Sequence, residues 1–211
     1  MIDLLSQLAL GFVICLSGAL IPGPLLVFIV THTLRTGERS AGFFAGLGHC
    51  FVEVFIVFAI LLGLSAFFES AIFQLTVRVV GEFALFVFGV LNLLELRKGK
   101  LDLKDNSNRV EHSSFVGGVI FTVLNATIPL WWGTVGLTML NNALRNTTML
   151  GVALWVLGHW LADLGWFGFA GYSIFKGKNY IGKRTHRHLI MICGIILIVL
   201  GTIFMCSLFI Q

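Results

Sequence analysis

An all-α integral membrane protein is the fold class this sequence predicts. The expected form is six transmembrane helices arranged as two inverted three-helix repeats, with the first helix of each repeat broken at proline. Three observations lead there. Only 11% of the 211 residues are charged, against 57% hydrophobic, and the mean hydropathy is +0.96; a soluble domain carries about 25% charged residues. Apolar stretches long enough to cross a bilayer recur along the chain. Proline-bearing segments and a Gly-His-x-x-x-acid pattern recur in corresponding helices of the two halves.

The composition excludes a soluble enzyme and a disordered chain. Four cysteines, Cys15, Cys50, Cys193 and Cys206, form no Cys-x-x-Cys pair and read as small hydrophobes. The net charge of +4 is no nucleic-acid signal here, because the placement of the positive charges matters more than their sum.

The spans follow in order. Leu4 to Leu34 holds no Asp, Glu, Lys or Arg. Ala41 to Phe68 holds one, Glu53. Val79 to Leu94 holds only Glu82, with Arg78 placed to snorkel at its edge. Phe115 to Leu140 is uncharged, Thr147 to Phe175 holds only Asp163, and Leu189 to Ile210 is uncharged. Period-two alternation is absent, so a β-barrel is not expected. The charged stretch 97–114 divides the chain into a first repeat (1–96) and a second (115–211), with Asp105-Asn106-Ser107-Asn108 as its loop.

Twelve of the 14 Lys and Arg fall in the first, third and fifth inter-helix loops, leaving only Arg78 and Arg145 toward the other side. The positive-inside bias makes these loops cytoplasmic and puts both termini outside, in a multi-pass protein of the plasma membrane. No basic residue precedes the first helix, so it reads as a retained span.

Candidate site residues come from the repeat. Pro22, Gly23 and Pro24 interrupt the first helix, because each proline lacks an N–H and glycine relaxes the backbone. The fourth helix carries Asn125-Ala126-Thr127-Ile128-Pro129-Leu130-Trp131-Trp132, again with a proline near its middle. Broken helices at matching positions point to a transporter site. A proline kink is often only a kink, and the Trp pair reads equally as packing or as pocket lining. In the second helices, Gly48-His49-x-x-x-Glu53 matches Gly158-His159-x-x-x-Asp163, and i to i+4 spacing puts each His and its acid on one face. A carboxylate near mid-membrane costs roughly 2.5–3.5 kcal/mol on insertion scales. A functional use of the four ionisable groups therefore outweighs a packing one, while Glu82 reads as structural.

The Pro-Gly-Pro of residues 22–24 in the first of six helices resembles the lysine exporter (LysE/RhtB) family of amino-acid exporters. Gly42-x-x-x-Gly46 after a short basic loop, Gly81-Glu82-Phe83 through Gly89 before Arg97, and Gly194 through Gly201 are also similar to it. The family often shows Asn-Pro in the fourth helix, where Asn125 is here followed by Ala126 with the proline at Pro129. The resemblance implies a secondary exporter of amino acids or related small zwitterions, driven by an ion gradient, with no enzymatic activity and no cofactor. Substrate-binding candidates are Pro22, Gly23, Pro24, Asn125, Thr127, Pro129, Trp131, His49, Glu53, His159 and Asp163. Half-helix N-termini after Pro24 and Pro129 would meet a carboxylate and the acids an ammonium. His49, Glu53, His159 and Asp163 would also relay protons, since imidazole ordinarily titrates near neutral pH. The alternative is a divalent metal exporter using the same four residues as ligands. The partners expected are a small-molecule substrate and the lipid bilayer, with a homo-oligomer left open and no nucleic acid.

The charge distribution generates a topological prediction. Single cysteines placed at Asn106 and at Gln211, in an otherwise cysteine-free chain, label from opposite sides of the membrane with an impermeant maleimide. Labelling from one side would defeat the arrangement of three spans per half.

Overall fold

A computed structural model describes residues 4–20, 23–64, 70–97, 107–125, 127–180 and 182–207, which are helical apart from short turns. The helices are α1 (Leu4–Ala19), α2 (Pro24–Thr36), α3 (Ala41–Leu61), α4 (Ala71–Arg97), α5 (Ser107–Val123), α6 (Thr127–Asn146), α7 (Met149–Gly177) and α8 (Lys183–Ser207). Helices α3, α4 and α7 are each long and apolar enough to cross a membrane. The pairs α1 with α2 and α5 with α6 meet that test together, bent by 72° and 62° at their breaks. Helix α8 carries a shorter apolar stretch, Arg187–Ile203.

Several boundaries differ from the sequence expectation. Helix α4 starts eight residues before Val79, so Arg78 lies inside it rather than at its edge, with its Nε 3.8 Å from the Glu82 carboxylate one turn on. That i to i+4 pairing offsets both charges within one helix. Helix α5 begins at Ser107, so Ser107 and Asn108 are helical and not loop. A start preceded by Asp105-Asn106 is where such residues favour a helix N-terminus. Pro22 lies outside the described residues; Pro24 is the first residue of α2, where its missing N–H costs nothing. The second break falls at 124–126, ahead of Pro129. Pro129 sits in the first turn of α6, where it needs no i−4 acceptor, and its ring bars the helix from continuing back through the carbonyl of Asn125. Residues Trp132–Gly136 of α6 form a widened, π-helical stretch that sequence periodicity did not signal. Helix α2 ends on Gly37 at φ 71°, whose N–H donates to the Thr33 carbonyl at 2.9 Å.

Lipid supplies little hydrophobic drive between helices, so close packing through small residues must hold them together. Glycines do this at two crossings of α1 with α7 and of α5 with α3. A Cβ on Gly11 would lie 2.0 Å from the Trp155 carbonyl oxygen, and one on Gly158 2.1 Å from that of Leu8. A Cβ on Gly118 would lie 2.1 Å from the Ala45 oxygen, and one on Gly48 2.2 Å from that of Phe115. The crossings correspond residue for residue. Leu8 and Gly11 stand 107 positions before Phe115 and Gly118, and Ala45 and Gly48 stand 110 before Trp155 and Gly158. Gly42 and Gly171 bring α3 against α7, and Gly89 and Gly194 bring α4 against α8.

Three apolar clusters result, the smallest of Leu34, Leu96 and Ile190, and two flank the His and acid residues. One gathers Leu25, Val27 and Ile29 of α2 with Ala45, Phe121, Phe167 and Leu197. The other gathers Val57 and Ile60 of α3 with Trp132, Leu140, Val152 and Trp155. Along both α3 and α7 the His and acid residues fall between them.

Replacing Gly11 or Gly118 by leucine forces these crossings apart. Overpacking typically costs about 1–3 kcal/mol, and more against rigid backbone. Thermal unfolding in detergent is expected to show a lowered midpoint for each variant. Gly165→Ala, with open space around the added methyl, is expected to hold or raise it.

Candidate functional site

The breaks and the two His-acid helices enclose one cavity of about 350 Å³, within the size range of small-molecule sites. Nine of the residues singled out from sequence line it: Gly23, Pro24, His49, Glu53, Asn125, Thr127, Trp131, His159 and Asp163. Pro129 is buried beside the break without lining the cavity.

The chemistry concentrates where α3 faces α7. His49 Nε2 lies 3.3 Å from Glu53 Oε1 and 3.6 Å from Asp163 Oδ2. His159 Nε2 lies 3.1 Å from Glu53 Oε2 and 3.2 Å from Asp163 Oδ2. The pairs therefore interlock, each imidazole standing between its own helix's acid and the other's. All four side chains are buried, Glu53 at 2% exposure. Trp132 Nε1–H donates to Glu53 Oε1 at 2.9 Å.

Hydrogen-bond geometry orients one ring. The Thr122 hydroxyl has one proton and donates it to the Gly118 carbonyl at 2.7 Å. Its contact of 2.9 Å with His49 Nδ1 therefore needs the proton on Nδ1, so Nε2 is the atom turned to the carboxylates. On the other side, His159 Nδ1 is buried without a hydrogen-bond partner. Cys15, 107 positions before Thr122, stands near this imidazole: Cys15 Sγ, a His159 nitrogen and an Asp163 oxygen lie within 4.8 Å of one another.

Donors are scarce at this centre. Each His Nε2 offers at most one proton and Trp132 one more, while two carboxylates have about four acceptor sites each. A proton, an ammonium group or a metal cation would complete the set. Two overlapping triads, Cys15-His159-Asp163 and His49-Glu53-Asp163, offer mixed sulfur, nitrogen and oxygen donors suited to a borderline-soft divalent ion.

The two half-helix N-termini differ. At α6, Asn125 caps its own helix: Oδ1 accepts from Thr127 N–H at 3.1 Å, and its carbonyl accepts from Ile128 N–H at 3.0 Å. The free donors expected after Pro129 are therefore absent, because the helix starts at Thr127 and its first amides are satisfied. At α2, Gly23 provides no side-chain cap, and Val27 N–H is taken by the Gly23 carbonyl at 3.1 Å. The N–H groups of Leu25 and Leu26 have no bonded partner among the described residues, and both residues line the cavity.

Aromatic rings close one wall. The His159 ring lies 5.0 Å from that of Trp131, 5.1 Å from Trp132 and 5.5 Å from Trp155. The Trp pair thus divides its work, Trp131 lining the cavity while Trp132 is fully buried on Glu53. Sequence reading missed Thr122, Trp155 and Cys15 as site residues and left Trp132 between packing and pocket lining. Trp155 had a signal, since Trp155, His159 and Asp163 repeat at i, i+4 and i+8 on one face.

Thr122→Val removes the acceptor of His49 Nδ1–H and leaves a buried donor unpaired, at a cost of about 1–3 kcal/mol. A lowered thermal midpoint is expected for Thr122→Val and a near-normal one for Thr122→Ser; equal midpoints for the two would show that the hydroxyl does not hold the ring.

The model of a family described as LysE type translocator aligns with residues 16–208. No curated protein and no solved structure matches the chain significantly.

Proposed function

The chain belongs to the LysE type translocator family, and from that premise we propose that it is a secondary exporter of amino acids or related small zwitterions, coupled to an ion gradient. The chain is a multi-pass membrane translocator, from a family of transporters rather than enzymes. The observation that carries this reading is the central cavity, which presents two unlike poles. The α2 N-terminus, without a side-chain cap from Gly23, offers the Leu25 and Leu26 N–H groups and a positive dipole end to a carboxylate. The donor-poor His-acid cluster offers Asp163 and Glu53 to an ammonium, with Trp131 at its side.

Six spans in two inverted repeats are part of the same proposal, with α1–α2 matching α5–α6, α3 matching α7 and α4 matching α8. The residue-for-residue correspondence of the glycine crossings supports it, as do two breaks bordering one cavity. Helix α8, whose apolar stretch Arg187–Ile203 is shorter and follows a basic start, is then the sixth span. Both termini outside a plasma membrane complete the arrangement.

The coupling role falls to the interlocked quartet. A proton placed between a His Nε2 and a carboxylate changes the charge of the cluster by one and so its hold on an ammonium. The apolar clusters on either side close the cavity in turn. The second reading, export of a divalent metal ion, draws on the two donor triads; its distinctive element is the sulfur of Cys15.

Proteoliposomes under an imposed pH gradient test both. Amino acids and Zn²⁺, Co²⁺ or Ni²⁺ are offered side by side. Glu53→Gln and Asp163→Asn are each expected to slow amino-acid transport roughly tenfold or more, the scale of one charge-assisted hydrogen bond. Cys15→Ser is expected to leave it near the wild-type rate. Metal transport that Cys15→Ser abolishes would establish the second reading, and wild-type rates with an unchanged pH profile in both acid variants would make the quartet structural.

A further inference from the structure

A second cavity, remote from the central one, opens between α4 and α8 at the end where α4 finishes and α8 starts. It holds about 430 Å³ and is lined on one side by Leu93, Leu94 and Arg97 and on the other by Arg187, Met191 and Ile195. The two helices touch at Gly89 and Gly194, where each glycine's added Cβ would meet the other helix within 3.2 Å. Beyond that contact they leave a groove toward the arginines. Arg187, Met191 and Ile195 repeat at i, i+4 and i+8, forming one stripe about 12 Å long. Leu94, Met191 and Ile195 are 43%, 39% and 44% exposed, so the apolar part of the groove faces outward. Both arginines stand at its same end, exposed to solvent. No Asp or Glu follows Asp163 in the chain, so α8 brings no acid of its own to neutralise them.

We propose that this groove is a binding site for an anionic phospholipid. Its phosphate sits between the Arg97 and Arg187 guanidinium groups, and its acyl chains lie along the two apolar stripes. The argument is one of matched chemistry. Guanidinium forks grip phosphate oxygens in pairs. A basic pocket between transmembrane helices at one membrane face is suited to lipid headgroups. The groove ends at the face that carries twelve of the 14 Lys and Arg, so a zwitterionic headgroup, bringing its own cation, would be disfavoured there. The choice of an anionic lipid over a second copy of the chain rests on the same charges: an isologous contact across this groove would bring four guanidinium groups together.

Native mass spectrometry of the detergent-purified chain reads the result directly. The probes are a phosphatidylglycerol and a phosphatidylcholine with the same acyl chains, titrated separately. Each basic residue near the membrane surface is worth about fivefold in binding an anionic lipid. The wild type is therefore expected to retain phosphatidylglycerol well above phosphatidylcholine, and the double variant Arg97→Gln/Arg187→Gln to lose about 25-fold of that retention. Arg97→Lys/Arg187→Lys is expected to keep part of it, and Arg145→Gln, at the opposite end, all of it. Gel filtration confirms that the variants, altered only at exposed side chains, stay folded. Equal retention of the two lipids by the wild type would overturn the proposal, as would unchanged retention in the double variant. So would a disulfide-linked Met191→Cys dimer that forms to the same extent with and without phosphatidylglycerol added before oxidation.

Discussion

Two carboxylates in an apolar bundle must find partners, and most of the molecule is arranged around that requirement. Glu53 and Asp163 lie on different helices, and each is shared by the same two imidazoles at 3.1–3.6 Å. Neither His-acid pair is complete alone. The crosswise arrangement needs α3 and α7 in close contact, and Gly42 against Gly171 provides it. It also needs a third element on each side, and the glycine crossings of α1 with α7 and of α5 with α3 bring Cys15 and Thr122 to the two imidazoles. Removing one member of such a cluster leaves the others as buried, unbalanced charge, which is why one replacement there is felt more than its size suggests.

The two halves place like elements in like positions and then use them differently. Thr122 contacts the Nδ1 of one imidazole, while the second has Cys15 nearby and an Nδ1 without a partner among the described residues. Asn125 Oδ1 accepts from an amide of the α6 N-terminus, while Gly23 gives the α2 N-terminus no side-chain cap. Strict symmetry would give a cavity with two equal ends. These departures make its two ends unlike.

Beyond the cavity, the packing is apolar on both sides, but one end carries a polar tie. Glu38, in the turn between α2 and α3, accepts hydrogen bonds from Ser114 of α5 at 2.5 Å and from Ser40 at 3.2 Å, and its carboxylate lies 3.4 Å from His32 of α2. Phe28 stacks on His32 and on Phe121 beneath it. This contact joins three elements around the same end of the chain's interior, and no corresponding tie is found at the other end among the described residues. In an alternating-access cycle such a tie would have to part when that end opens, while the apolar cluster around Trp132 and Leu140 would part at the other.

Much of this was legible in the primary structure. Hydropathy placed the helices because a bilayer demands long apolar stretches. Mid-membrane acids announced themselves because their cost is so high that they are seldom incidental. The repeated Gly-His-x-x-x-acid located the centre, because i to i+4 spacing survives in any helix. What sequence could not show was relative placement. Whether His49 would pair with Glu53 alone or also with Asp163, 114 positions away, depends on how α3 and α7 cross, which is set by backbone contacts that only folding makes. The same holds for Trp132, whose partner Glu53 lies 79 positions earlier, and for Asn125, whose neighbours alone did not distinguish a substrate ligand from a helix cap. One-dimensional spacing therefore determined which residues would share a face, by helical geometry; the tertiary structure decided which faces meet, because close helix contacts depend on glycines and side chains brought together from both halves of the chain.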